Sequence, residues 1–111
     1  MKTIYINDNT LELINYGIKK KEGRLLKGIF NNLKINDKIN LKSRKREINV
    51  KIIKIVKYKT FLEMINNEGI DKILPIKLNL IKGLNLYKKF YNQDIKNNYG
   101  AIVIYIENIK N

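Results

Sequence analysis

Lys20, Glu22 and Arg24 stand at alternate positions in the stretch Gly17-Ile18-Lys19-Lys20-Lys21-Glu22-Gly23-Arg24-Leu25. In an extended strand alternate side chains share one face, whereas a helix would splay Glu22 away from Arg24. Extended backbone therefore gathers a compact cluster of opposite charges, and Gly23, lacking a Cβ, lets a ligand or another backbone come close. The same residues also suit a solvated strand whose surface ion pair is worth little. Other chemistries are excluded by composition. With no histidine and no cysteine, zinc sites of the usual type, Ser-His-Asp triads and Cys-His nucleophiles are all absent. Ser43 and three threonines are the only aliphatic hydroxyls, and no Gly-Lys-Ser/Thr phosphate loop occurs. Any catalysis has to use Lys, Glu, Asp, Thr or Tyr, and neither metal nor cofactor is expected.

The net charge of +13 points toward nucleic acid, because clustered Lys and Arg neutralise phosphates and release counterions. Lys, Ile and Asn supply 20, 21 and 17 of the 111 residues, a bias that AT-rich coding sequence favours, so part of the charge reflects composition. Lys outnumbers Arg 20 to 3, which makes each Arg the more informative residue. One is Arg24. The others, Arg44 and Arg46, flank Lys45 in a hairpin tip that suits either a phosphate-contacting loop or a charged turn keeping a sheet edge soluble.

The elements that must position these groups can be read in order. Lys2 to Ile6 alternates as a first strand, and Asp8, Asn9 or Thr10 can cap a short helix carrying Leu11, Leu13 and Ile14 that Gly17 ends. Gly28 to Leu33 makes a loop or single turn, and Asn36-Asp37 a tight turn in which Asn tolerates positive φ, leading to a strand over Lys38 to Leu41. Ile48 to Val56 reads as a long strand, with Ile52-Ile53 calling for a bulge or burial on both faces. Thr60-x-x-Glu63 is a capping box for a helix from Phe61 to Glu68-Gly69. Pro75 precedes a second helix, capped by Asn79, with Leu80, Gly83, Leu84, Tyr87 and Phe90 on one face. Ala101 to Ile106, continuously apolar, reads as a central strand.

A chain of 111 residues fits one domain, residues 1–111, with a single modest core. No apolar run approaches the roughly 18 residues of a membrane span, and the N-terminal residues lack the apolar region of a signal peptide. The expectation is a soluble, cytoplasmic protein with no membrane partner.

The motif Gly-x-Lys-x-x-Glu-Gly-Arg-Leu, followed by Leu33-Lys34-Ile35-Asn36-Asp37-Lys38-Ile39, resembles the signature of the ASCH domain family of the PUA-like superfamily. The likeness continues through Tyr58 to Ile65, Asn67-Glu68-Gly69, Leu74-Pro75, Tyr87 to Tyr91 and Tyr99 to Ile102, in order along nearly the whole chain. It implies an α+β fold, a small mixed β-barrel of PUA-like type flanked by short helices. Gly17, Lys19, Glu22 and Arg24 then look into a cleft, and Lys20 stands where the family often has Thr.

What such a cleft binds, by this resemblance, is RNA, a nucleoside or a nucleotide. Gly17, Lys19, Lys20, Glu22 and Arg24 are the expected ligand-binding residues with Tyr58, Tyr91 and Tyr99, whose rings could stack a base. Phe61, Tyr87 and Phe90, at helical spacing, also suit the core. Arg44, Lys45 and Arg46 are the expected contacts to a nucleic-acid backbone. Some ASCH proteins resemble amidohydrolases of N4-acetylcytidine and others RNA-cleaving proteins. Under the amidohydrolase alternative Lys19, Glu22 and Glu68 would be catalytic, Glu22 standing where the family's nucleophilic Thr stands. A carboxylate there pairs with a cation more readily than it attacks an amide, so slow or absent turnover is expected.

Overall fold

The computed structural model describes residues 1–69, 73 and 80–109. The chain is α+β. Its order is β1 (Lys2–Tyr5), α1 (Asp8–Asn15), β2 (Lys21–Leu25), a 3-10 turn (Gly28–Asn32), β3 (Lys38–Lys42), β4 (Glu47–Tyr58), α2 (Phe61–Glu68), α3 (Leu80–Asn97) and β5 (Ala101–Asn108). The strands form one five-stranded sheet in the order β1-β3-β4-β5-β2. It is mixed: β1 runs parallel to β3, pairing Ile4 with Leu41, and β3 antiparallel to β4, pairing Ile39 with Val50. β5 lies inside the sheet, as its apolar run requires, and residues 101–104 are all buried.

The chain groups into two compact units assembled from separated segments: Met1–Glu22, Leu33–Ile55 and Ile104–Asn111 in the first, Gly23–Asn32 and Val56–Val103 in the second. In the first unit Asn7, rather than the expected Asp8, Asn9 or Thr10, caps α1, its side-chain oxygen accepting from Thr10 N at 2.7 Å. Thr10 is itself buried, so it serves the helix from inside. Asn36 takes φ +76, with its N–H donating to Ile52 O and Ile52 N–H to Asp37 O, which starts the β3–β4 ladder. Val50 and Ile52 are fully buried, but Ile53 is 47% exposed, so the paired isoleucines are not both core.

In the second unit Thr60 caps α2 by accepting from Glu63 N at 3.0 Å, and Gly69 ends the helix at φ +89. Phe61 is buried against Phe90, ring centroids 5.6 Å apart. Asp94 of α3 is buried and accepts two backbone N–H groups, from Phe61 at 2.7 Å and from Gly100 at 2.8 Å, tying α2 and the start of β5 to one carboxylate. Leu74, Pro75 and Asn79 lie outside the described residues, as do the side chains of Leu80, Leu84 and Tyr87. No helix of the described residues is long and apolar enough to cross a membrane.

Candidate functional site

The first half of the basic motif is placed by the end of α1. Gly17, at φ +76, closes the helix with two bonds: its own N–H to Ile14 O at 3.0 Å and that of Ile18 to Leu13 O at 2.9 Å. Lys19 N–H also reaches Leu13 O, at 3.0 Å, so the backbone carrying the lysine is tied to the helix. From β5, Asn108 Nδ2 donates to the next carbonyl, Asn15 O, at 2.9 Å and adds a second bond to Ile14 O at 3.2 Å. That donation fixes the amide's orientation. Its Oδ1 is buried and has no hydrogen-bond partner among the described residues. Ile106 N–H then bonds Lys20 O at 2.9 Å and lays the motif along β5.

These elements enclose a half-open concavity of about 580 Å³ in the first unit. Ile14, Ile53 and Ile106 give it apolar surface, Lys19 and Lys20 positive charge, and Asn15 and Asn108 amides, with Tyr16 and Gly17 beside them and Glu107 also on the wall. Tyr16 and its neighbour Ile18 are each 73% exposed. An apolar lining, exposed ring, amides and ammonium groups together suit a flat heterocycle attached to an anion.

The other half of the motif does different work. β2 is extended through Glu22 and Arg24, as one-face placement requires, and Glu22 is buried while Arg24 is half-buried. A Cβ on Gly23 would meet Ile73 Cγ2 at 2.5 Å, so the close approach this glycine allows is made by a side chain of the protein, not by a ligand. In the second unit Arg24 lies 5.5 Å from the Phe30 ring and lines a smaller concavity of about 320 Å³ with Lys27, Phe30 and Phe90. Lys27 sits 5.2 Å over the Tyr99 ring and 3.1 Å from Gln93 Oε1. The Tyr58 hydroxyl donates to Glu68, uniting two of the expected site residues, and Tyr91 is half-buried on α3. Gly17, Lys19 and Lys20 thus share one concavity and Arg24 lines another.

The β3–β4 hairpin tip is held by acids of α1. Arg44 reaches Asp8 at 3.6 Å and Arg46 reaches Glu12 at 3.4 Å, while Lys45 N–H donates to Asp8 Oδ1 at 3.3 Å. Ser43 closes the turn, its N–H bonding Arg46 O and its hydroxyl oxygen accepting from Lys45 and Arg46 N–H groups. A hydrogen bond from the Ser43 side chain is the largest influence holding the Asp8 carboxyl below its ordinary value; lost solvent, the next largest, pushes it up, and the Lys45 N–H and then the Arg44 and Lys45 charges each add a smaller downward pull. Among the described residues no group of three or more acids could hold a metal ion.

Three residues placed by the structure escape reading from sequence: Asp94, a lone acid in a long helix; Asn108, one of 17 asparagines; and Tyr105, set in an aliphatic strand, with the Lys21 and Lys54 ammonium groups 5.4 and 5.0 Å from its ring. Only Tyr105 has a usable signal, as the one ring with a polar tip in an otherwise aliphatic run.

No protein-family model and no curated protein matches the chain. Solved structures do. Protein PF0455 from Pyrococcus furiosus is 27% identical over 99% of this chain and 98% of its own, with a TM-score of 0.69. The hypothetical protein PH0355 is 32% identical over 98% of this chain and all of its own, with a TM-score of 0.73. Sequence and fold agree along the chain, which therefore belongs to the same family as the hypothetical protein PH0355.

Proposed function

We propose that this chain is a PUA-like ASCH-domain protein that binds single-stranded RNA, taking one nucleotide in the concavity at the end of α1. The observation that carries this reading is that Gly17, Lys19 and Lys20 line a concavity of about 580 Å³ together with apolar, aromatic and amide groups. Pockets of roughly 300–1,000 Å³ accept small ligands, and an apolar lining with ammonium groups favours a base and its phosphate over a neutral apolar molecule. A half-open form suits a nucleotide within a strand better than an engulfed nucleoside. The excess of 23 basic over 10 acidic side chains supplies long-range attraction. Arg44 and Arg46 face Asp8 and Glu12, so they add less to binding than Lys19 and Lys20.

Fluorescence anisotropy with short single-stranded and duplex RNA tests the reading. Single-strand affinity should fall steeply between about 50 and 200 mM salt. Replacing Lys19 and Lys20 together by Ala should weaken it about tenfold and lower the salt slope by about one unit. Absence of binding at low salt, or binding indifferent to both lysines, overturns the proposal. A parallel arm follows cytidine release from N4-acetylcytidine, which should be slow or absent because Glu22 occupies the place of the family's nucleophilic Thr. Robust turnover that vanishes in both Lys19→Ala and Glu22→Ala would make the chain an amidohydrolase instead.

A further inference from the structure

We propose a second nucleotide contact at Tyr105, flanked by Lys21 and Lys54, on the face of the sheet opposite the Lys19–Lys20 concavity; this deepens the RNA reading and rests on it. β5 lies between β4 and β2 in the sheet. Ile53 of β4, Ile106 of β5 and Lys20, just before β2, line the concavity. Their neighbours Lys54, Tyr105 and Lys21 are not part of that lining, in keeping with the alternation of successive strand side chains.

Those three residues meet. The Lys21 ammonium lies 5.4 Å and that of Lys54 5.0 Å from the centre of the Tyr105 ring. Tyr105 is half-buried, while Ile104 and Ile106 beside it are buried, so the ring stands at the surface of the sheet on a rigid interior strand. The ring thus carries two ammonium groups beside it, which offers a stacking face together with positive charge for the phosphates of one nucleotide. Contacts between an exposed ammonium and a ring are weaker than stacking of a nucleobase on the same ring. An incoming base therefore displaces the ammonium groups to the ring's edges, where they meet the phosphates on either side of the nucleotide. The three side chains include no amide or carboxylate to read a base edge, so recognition here is tolerant of sequence.

The test is anisotropy of a labelled short oligouridylate with the wild type and four variants: Tyr105→Leu, Tyr105→Phe, Lys21→Gln with Lys54→Gln, and Lys19→Ala with Lys20→Ala. Circular dichroism melts check folding. Tyr105→Leu should weaken binding about tenfold while Tyr105→Phe, which keeps the ring, stays close to wild type. The paired glutamines should lower the salt slope by about one unit. If Tyr105→Leu lowers the melting temperature, the Phe variant and the paired glutamines, which leave the strand's packing in place, decide the matter. Unchanged binding in Tyr105→Leu and in the paired glutamines, with weakening in Lys19→Ala/Lys20→Ala, refutes the second contact and leaves the RNA reading standing. Equal loss in the Leu and Phe variants refutes stacking. No RNA binding by the wild type at low salt refutes both.

Discussion

Asp94 and Asp8 do the same thing in two different solvents. Each carboxylate accepts a backbone N–H from a sequence-distant part of its own unit, Asp94 from Phe61 and Asp8 from Lys45, and Asp94 takes a second from nearby Gly100. Asp94 is 5% exposed, and the Phe61 and Gly100 N–H groups that it accepts are neutral donors. Asp8 has a side chain 21% exposed and works beside Arg44, which is 91% exposed. In water an ion pair competes with hydration and salt, and its net worth is small. Inside the protein an amide left without its acceptor bears the full loss of solvation. With 23 basic residues against 10 acids, cations for pairing are plentiful everywhere on the surface. Burial, rather than the availability of a cation, decides which acid matters to stability.

The widest separation between the two comes from removing each carboxylate. Asp94→Ala leaves two buried N–H groups without an acceptor and should cost about 3 kcal/mol, a fall of roughly 10 °C in Tm by calorimetry. Asp94→Asn, which keeps one acceptor, should fall between that variant and wild type; a silent Asp94→Ala would erase the contrast. Next in size is Gly100→Ala, which tests the backbone that Asp94 grips. At φ +77 a Cβ is strained and would sit 2.9 Å from Tyr58 O, for a loss of about 1–3 kcal/mol in a denaturant titration. Thr60→Ala removes the cap of α2 and should cost about 1 kcal/mol.

Asp8→Asn should have the smallest effect of the series. Because the folded carboxyl titrates below its ordinary value, Asp8 contributes fully above the unfolded range, and the contribution is lost as pH falls through the folded value. The substitution should therefore flatten slightly the acid limb of a stability–pH profile and leave neutral stability almost unchanged. A loss at neutral pH comparable with that of Asp94→Ala would show that the hairpin tip is part of the core of its unit.

Local rules were readable wherever one residue type has a unique physical use. Gly17 ends α1 as expected, at positive φ, Asn36 takes the positive φ expected of it, and Thr60-x-x-Glu63 caps α2. The start of α1 was not, because Asn7, Asp8, Asn9 and Thr10 can all cap and local chemistry cannot choose among them. The packing that buries Thr10 and Leu11 makes the choice. Lys19 and Lys20 could be picked out by the motif around them, whereas Lys21 and Lys54 look like any others of the 20 lysines until strand order brings them to one ring. Asp94 was hidden for the same reason: its partners, Phe61 and Gly100, stand 33 and 6 positions away.

On the proposed RNA-binding reading, the bonds at the end of α1 bear on the kinetics of capture. Ile18 and Lys19 both give their N–H groups to the Leu13 carbonyl, and Asn108 holds the next two carbonyls, so the segment that offers the lysines is already ordered before any ligand arrives. A ligand pays little conformational entropy to dock on such a segment. Association can then run at the rate that electrostatic steering allows, without waiting for a loop to fold, and differences in affinity among ligands will appear in how long each one stays.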